Sequence, residues 1–195
     1  MIDDECAIRR VLAGEREAFR SLVVRHQSAV RATIHALWRQ CPDWEDLAQD
    51  VFLAAFRHLG TFEAGKGSFR TWLLAITRNH CRTAQRRPTT TQVDPLPDRA
   101  DYRTPEVAAC QTEWFRRLDA GLAALPDDQR LLFVLVEMQG LSYREAAEVA
   151  EVNVGTVKSR LSRAKAWLRE KLAPLTIEQD GPTAGASDVV KREGR

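Results

Sequence analysis

The chain of 195 residues has little of what metal sites and disulfide frameworks need. It contains four cysteines, far apart, and no pair has the CxxC spacing of a zinc or redox site. Its four histidines have no spacing that would join them to a nucleophile or a metal. These positions are Cys6, Cys41, Cys81, Cys110, His26, His35, His58 and His80. We therefore expect no metal, no cofactor, no catalytic residue and no small-molecule substrate.

Long apolar runs are also missing. No stretch approaches the ~20 residues of a membrane span. The N-terminus carries Asp3, Asp4 and Glu5, unlike a secretory signal. Single cysteines in a reducing compartment behave as small core hydrophobes. These absences predict a soluble, cytoplasmic protein.

The chain as a whole has no large excess of either positive or negative charge. The 29 basic and 27 acidic residues give a net charge of +2, so the total does not identify a partner. The two signs are nevertheless segregated along the chain. Residues 64–93 contain no carboxylate, whereas the stretch between Arg39 and Arg57 contains no lysine or arginine. This segregation predicts distinct surfaces for distinct partners.

Strand-like alternation is scarce, and nearly every periodic segment has helical spacing. The predicted fold class is therefore all-α. Residues 88–105 contain four prolines, three consecutive threonines and little apolar content, which is typical of a flexible linker. The sequence thus predicts two small helical domains, 1–87 and 106–173, joined by this Pro-rich linker. Thr104–Glu106 would start the second domain, Pro174 would end it, and residues 174–195 would form a disordered tail.

An acidic helix is predicted after Pro42. Asp43 is expected to cap it, and apolar residues recur every three or four positions through Leu59. The outer face of this helix carries Asp46, Gln49 and Asp50. Taken by themselves, these acidic side chains either bind a partner or are merely solvated. Solvation is an alternative because acidic side chains near the start of a helix interact favourably with the helix macrodipole.

A basic helix follows the glycine-containing loop at residues 60–67 and begins near Ser68. Three arginines recur along it at four-residue steps, with an amide and a hydroxyl beside them: Arg78, Arg82, Arg86, Asn79 and Thr83. Such a row fits a nucleic-acid surface, where arginines hold phosphates and short polar groups read bases. A solvated face is the alternative, although ordinary exposed helices mix both charges.

Residues 142–172 have the pattern of a helix-turn-helix. Ser142 and Glu145 form a capping box, the turn falls at residues 151–153, and Asn153 can cap the second helix. One side of that helix is an apolar stripe. The other carries Lys158, Ser159, Ser162, Arg163 and Arg169. This division predicts a reader of the DNA major groove, with a solvated basic face as the alternative.

Three stretches in order carry a family resemblance: DWEDLAQDVFLAAFRHL at 43–59, GSFRTWLLAITRNHCRTAQRR at 67–87, and LPDDQRLLFVLVEMQGLSYREAAEVAEVNVGTVKSRLSRAKAWL at 125–168. Together they resemble a bacterial RNA polymerase sigma factor of the extracytoplasmic-function (ECF) group of the sigma-70 family. The resemblance covers roughly residues 5–173. It implies a dissociable specificity subunit of RNA polymerase that is not itself an enzyme.

The resemblance implies three partners. Asp46, Gln49 and Asp50 would dock on the clamp helices of the largest subunit of core RNA polymerase. The flap of the second-largest subunit would be a further contact. Promoter DNA is the second partner. The third is an anti-sigma factor, which in this group often covers the polymerase-binding faces.

For promoter DNA, the resemblance implies that the N-terminal domain captures the −10 element and flips a base into a pocket at the loop of residues 62–69. Its −10 residues would be Phe62, Lys66, Phe69, Arg78, Asn79, Arg82, Thr83 and Arg86. The helix-turn-helix would read the −35 element through Thr156, Lys158, Ser159, Ser162 and Arg163.

The chain departs from the family pattern in two places. The turn of the helix-turn-helix has Glu151 where glycine is common, at a position that favours positive φ, and Asn153 where proline is common. Ser162 replaces a bulkier residue, which leaves the −35 base preference open.

Two other functions would fit part of the chain. A stand-alone helix-turn-helix regulator leaves the acidic helix and the arginine row without a role. A protein-only adaptor requires that the charges of Lys158 and Arg163 be dispensable.

Overall fold

The computed structural model describes residues 3–86 and 113–176, with the side chains of 113–116 and 173–176 outside the description. All regular structure in these two ranges is helical, which confirms the all-α prediction. The interpretations placed on residues 88–105 and on the tail after residue 176 lie outside the described residues.

The N-terminal half consists of four α-helices. They are α1 (Asp4–Leu12), α2 (Phe19–Leu37), α3 (Trp44–Arg57) and α4 (Phe69–Arg86). Short 3₁₀ turns at Arg16–Ala18 and Leu59–Thr61 precede α2 and follow α3. The chain thus leaves α3 through a tight turn and enters α4 after an irregular loop.

The starts of these helices follow partly from local capping. The Asp3 carboxylate accepts a hydrogen bond from the Asp4 amide at 2.7 Å, and the Ser68 hydroxyl accepts one from the Thr71 amide at 3.1 Å. Asp43 occupies the N-cap of α3, but its side chain makes no capping hydrogen bond, so the predicted side-chain cap is wrong. The helix begins there through the Asp43 carbonyl, which accepts from the Leu47 amide at 3.0 Å.

The C-terminal half also contains four helices: α5 (Glu113–Ala124), α6 (Asp127–Phe133), α7 (Tyr143–Ala150) and α8 (Val154–Thr176). A single π-helical turn, Val134–Met138, continues α6. The chain then turns at Gly140, where φ is +73°. The predicted start at Thr104–Glu106 lies outside the described residues.

Helix α8 continues past Pro174, the residue predicted to end the second domain, and reaches Thr176. Proline disrupts a helix by removing one hydrogen bond and by crowding the carbonyl four residues earlier. Because Pro174 lies in the last turn of α8, few helical hydrogen bonds remain there for it to disrupt.

The two halves are packed directly against each other. Helix α4 lies on α7, and α2 lies on α6. Buried side chains from both halves form one continuous core, including Leu22, Ile34, Leu73, Leu74, Leu132, Leu135 and Val149. A second, smaller cluster joins α5 to α8 through Leu122, Leu125, Ala164 and Leu168. The sequence predicted two helical domains joined by a linker, and it did not indicate that the two halves are in contact.

Buried polar groups also connect the halves. The Arg130 Nε donates to the Ala36 carbonyl at 2.6 Å. The Gln139 amide nitrogen donates to the Thr33 hydroxyl at 3.1 Å, and its oxygen accepts from Arg70 at 3.2 Å. These bonds need one defined orientation of the halves, since hydrogen bonds weaken steeply as the angle departs from linear.

In the part of the chain that the structure describes, no helix is both long and apolar enough to cross a membrane. Within the same residues, no group of three or more histidine, cysteine or acidic side chains is placed to hold a metal ion.

Candidate functional sites

The acidic face of α3 is open to solvent. Asp46, Gln49 and Asp50 are all exposed, and Leu53, one turn further along the same face, is 43% exposed. Within residues 3–86 and 113–176, neither Asp46 nor Asp50 has an ion-pair partner. The buried side of the helix, with Leu47 among others, fixes this face outward. The result is a carboxylate surface with an apolar neighbour, free to meet a partner.

An aromatic cluster lies under the loop before α4. The rings of Phe62, Phe69 and Trp72 sit 5.7 Å apart, centroid to centroid, in each pairing. Phe69 is only 3% exposed, so its ring supports the cluster and does not present a surface. Phe62 and Trp72 are half-buried, and the exposed Lys66 pairs with Glu63 at 2.9 Å. The ring of Trp72, a residue not among the predicted site residues, is therefore partly accessible beside the loop.

The arginine row of α4 divides in two. Arg82, Thr83 and Arg86 are exposed, as is Asn79. Arg78, however, is only 8% exposed and pairs with the Glu151 carboxylate of the C-terminal half at 2.8 Å. In this arrangement the Arg78 guanidinium is not available to DNA, although the spacing along the helix places it in the same row.

The helix-turn-helix is capped as the sequence predicts. The Ser142 hydroxyl accepts from the Glu145 amide at 3.2 Å, while the Glu145 carboxylate accepts from the Ser142 amide at 2.9 Å. Asn153 caps α8 by accepting from the Thr156 amide at 2.7 Å. The Thr156 hydroxyl also donates to Asn153, at 3.0 Å, so it is engaged in the cap.

The turn between α7 and α8 has a strained residue. Glu151 adopts φ 52° and ψ 48°, the left-handed conformation, and is the single non-glycine residue with positive φ in the described ranges. For an L-residue other than glycine this conformation costs about 1–2 kcal/mol. The pKa of Glu151 is lowered, first by its hydrogen bond to Arg78 and then by the charge of that arginine.

The outer face of α8 is exposed and carries basic and short polar side chains. A stripe of buried residues, Val157, Leu161, Ala164 and Leu168, holds the helix on its apolar side. The side chains predicted to read bases, Lys158, Ser159, Ser162 and Arg163, are all exposed. A shallow groove beside them is lined by Tyr143 of α7 together with Lys165 and Arg169. The sequence offered no signal for Tyr143, because its position beside α8 depends on how the two helices cross.

Replacement of Ser142 by alanine tests the capping box. Because the hydroxyl cap is lost, we expect the free energy of unfolding to fall by about 1 kcal/mol, and by no more than about 2. Urea denaturation followed by circular dichroism measures the change. The matched control is Ser162→Ala on the exposed face of α8, for which a change within about 0.5 kcal/mol is expected. Equal stability of the two variants would contradict the role of the cap.

The same capping box gives a pH dependence. The pKa of Glu145 is lowered from its ordinary value of 4.5, first by the Ser142 amide and then by the Ser142 hydroxyl. Since the folded-state pKa lies below the unfolded one, this contribution to stability is fully present above the ordinary pKa. It is lost as the pH falls through the lowered value. The stability of Ser142→Ala should therefore depend less on pH in that acidic window.

Both halves of the chain match known protein families. The family model for sigma-70 region 2 matches residues 22–90, and that for sigma-70, region 4 matches residues 115–168. The RNA polymerase sigma-H factor of Pseudomonas aeruginosa is 33% identical over 187 residues, which cover 90% of this chain and 96% of the relative. The ECF RNA polymerase sigma-E factor of Escherichia coli is 32% identical over 186 residues, covering 89% and 96%.

Two solved structures have the same architecture. One is the sigma factor RpoE of Bartonella quintana in complex with the anti-sigma factor NepR, with a TM-score of 0.62, 27% identity and coverage of 80% of this chain and 96% of that one. The other is CnrH in complex with the cytosolic domain of CnrY, with a TM-score of 0.62, 26% identity and coverage of 91% and 99%. The chain therefore belongs to the sigma-70 family and is an RNA polymerase sigma factor of the ECF group.

Proposed function

We propose that this sigma factor binds core RNA polymerase through the acidic face of α3 and directs it to promoters with a −35 and a −10 element. The observation that carries the proposal is that the chain presents two basic surfaces and one acidic surface on separate helices. The clamp helices of the largest polymerase subunit are the partner of Asp46, Gln49 and Asp50. The flap of the second-largest subunit is the partner of the C-terminal half.

The −35 element is read by α8. Its exposed Lys158, Ser159, Ser162 and Arg163 combine long basic and short polar groups, which can bind phosphates and base edges in the major groove. Thr156 contributes in a different way, because its hydroxyl and its amide both bind Asn153. We assign Thr156 to positioning the start of α8 against the DNA.

The −10 element is bound by α4 and the loop before it. Exposed Asn79, Arg82, Thr83 and Arg86 offer one amide, one hydroxyl and two cations along a single edge. Half-buried Phe62 and Trp72 offer aromatic faces for a base flipped out of the stack. The ammonium group of Lys66 would bind the phosphate backbone of the DNA. Stacking of a base on an aromatic ring contributes about 1–3 kcal/mol, which offsets part of the cost of opening the duplex.

The protein contributes binding energy and no catalysis of its own, since phosphoryl transfer belongs to the polymerase. It acts in the cytoplasm, where promoter DNA and core polymerase are. We further propose an anti-sigma factor as its regulator, supported by the similarity to a sigma factor solved with the anti-sigma factor NepR.

The decisive experiment is run-off transcription on genomic fragments with core polymerase, with and without this protein, followed by mapping of the 5′ ends. We expect discrete new start sites that share one −35 and −10 pattern. Transcription that does not change on adding the protein would contradict the proposal. Tight binding of the protein alone to duplex promoter DNA would instead favour a stand-alone regulator.

Replacement of Arg163 by alanine tests the −35 readout on the promoters so found. Loss of one base or phosphate contact from α8 should weaken promoter binding by the holoenzyme by about 1–3 kcal/mol. The matched control is Arg144→Ala, which removes an exposed arginine on α7 that pairs with Glu148 of its own helix at 3.5 Å. Equal activity of the Arg163 variant and the control on every promoter would remove Arg163 from the readout.

A further inference from the structure

A buried histidine lies behind the aromatic cluster of the loop before α4. His26 of α2 is only 6% exposed, and its ring centroid lies 5.4 Å from that of Phe69. Phe69 in turn packs against Phe62 and Trp72, the two half-buried rings proposed to stack on a flipped base. The imidazole therefore contacts the one buried ring that both accessible rings share.

The orientation of this imidazole is set by the first residue of α1. The His26 Nε2 lies 2.9 Å from the Oδ2 of Asp4. Because a carboxylate can only accept a hydrogen bond, Nε2 carries the proton and donates. The other carboxylate oxygen of Asp4 accepts from Arg25 of α2, so the carboxylate is itself held in place. Since hydrogen bonds weaken steeply with angle, this arrangement favours one orientation of the His26 ring.

The hydrogen bond gives His26 a role that an apolar ring would lack. A phenylalanine at this position could fill similar space without burying a polar atom. A satisfied buried polar network, by contrast, rigidifies a core and specifies one arrangement of it, whereas the hydrophobic effect is non-directional. Helix α1 also lies against the turn Leu59–Thr61, just before the loop. The start of the loop thus meets α1 directly, and its end meets α1 through His26.

We propose that Asp4 and His26 are positioning residues for binding of the −10 element. Through Phe69, they fix the rings of Phe62 and Trp72 in the geometry that accepts the flipped base. This inference rests on the proposed function of the loop before α4. Neither positioning residue has to touch DNA, because each acts through the ring packed behind the stacking surface.

The phosphate contacts of α4 are independent of this network. Arg82 lies more than three turns of α4 beyond Phe69, about 20 Å along the helix axis. A change in the orientation of Phe69 therefore weakens base stacking and leaves the cations of α4 in place. A positioning role thus alters the affinity for one base, whereas a merely structural role alters all DNA contacts alike.

The test compares two fork-junction promoter DNAs, each labelled for fluorescence anisotropy and bound by the complete holoenzyme. One has an intact −10 strand, and the other has an abasic site at the flipped position, which an abasic scan with the unaltered protein identifies. For the unaltered protein the abasic site should weaken binding about tenfold, through loss of stacking. In Asp4→Ala this penalty should shrink about threefold or more, because the rings are no longer held in register. Affinity for the abasic DNA itself should stay the same.

Three further variants separate the hydrogen bond from the stability of α1. Asp4→Asn keeps an oxygen that can accept from Nε2, so it should retain most of the abasic penalty. Arg10→Ala removes an exposed ion pair of α1, with Glu15 at 2.7 Å, and should leave the penalty unchanged. His26→Phe keeps a ring beside Phe69 but loses the hydrogen bond, so it should behave like Asp4→Ala.

The outcomes distinguish this inference from the proposed function. An equal loss of affinity for both DNAs in Asp4→Ala and His26→Phe would reveal a merely structural role and overturn the positioning role. An abasic penalty that stays at its full size in both variants would overturn it as well, while the base pocket itself would stand. If the unaltered protein shows no abasic penalty anywhere in the −10 element, the base pocket and the positioning role fail together.

Discussion

Replacing Arg130 by methionine is expected to lower the free energy of unfolding by about 2–5 kcal/mol. The Arg130 side chain is 7% exposed and donates to the carbonyls of Ala36 at 2.6 Å, Leu125 at 3.0 Å and Ala123 at 3.4 Å. Each buried acceptor left without its donor costs about 1–3 kcal/mol, and methionine can supply none of these bonds. Its apolar chain retains much of the packing, so the loss reports mainly the polar contacts.

The matched control is Arg160→Met. Arg160 pairs with Asp128 at 3.0 Å, but its side chain is 31% exposed and that of Asp128 is 64% exposed. A pair so accessible to water contributes at most about 1 kcal/mol. Urea denaturation of both variants should place Arg130→Met well below Arg160→Met in stability. Similar stability for the two would show that the Arg130 bonds contribute little.

The Arg130 variant also weakens the contact between the halves, because Ala36 belongs to α2 and Arg130 to α6.

Replacing Asp50 by arginine is expected to weaken binding to core polymerase by about 100-fold. Asp50 is exposed on the acidic face of α3, beside Gln49 and one turn after Asp46. Reversal of a charge at the centre of a complementary surface replaces an attraction with a repulsion and costs several kcal/mol. Since Asp50 has no ion-pair partner in the described part of the chain, the fold should change in stability by about 0.5 kcal/mol or less.

Fluorescence anisotropy of the labelled sigma factor, titrated with core polymerase, measures this affinity. The matched control is Glu17→Arg, which makes the same charge change at an exposed residue of the same half, outside α3. Thermal unfolding of both variants confirms that the fold is intact. Normal holoenzyme assembly by Asp50→Arg would refute the assignment of α3 to the polymerase.

The sequence by itself determined the parts of this protein that depend on neighbours within a few residues. Ser142 and Glu145 are three positions apart, and Asn153 and Thr156 likewise, so their capping bonds could be predicted from spacing. The outward face of α3 and the two-sided pattern of α8 follow from the helical repeat in the same way. These short-range rules, with the resemblance they support, were sufficient for the fold class and the family.

Only the tertiary structure determined which of the predicted site residues are exposed and therefore accessible to a partner. Spacing put Arg78 in line with Arg82, and it could not show that Glu151, far along the chain, holds it. Phe69 and Trp72 share one helix, yet Phe69 is buried and Trp72 is half-buried, and the ring of Phe69 also packs against His26 of α2, 5.4 Å away between centroids.

The contact between the halves is the clearest case. Arg130 bonds to Ala36 across 94 positions of sequence, and Gln139 to Thr33 across 106. No local propensity encodes such a pair, since it exists only once two separately patterned halves have met. Local patterning therefore specified the exposed faces of α3, α4 and α8, whereas long-range packing determined that Arg78 is buried against Glu151 of the other half.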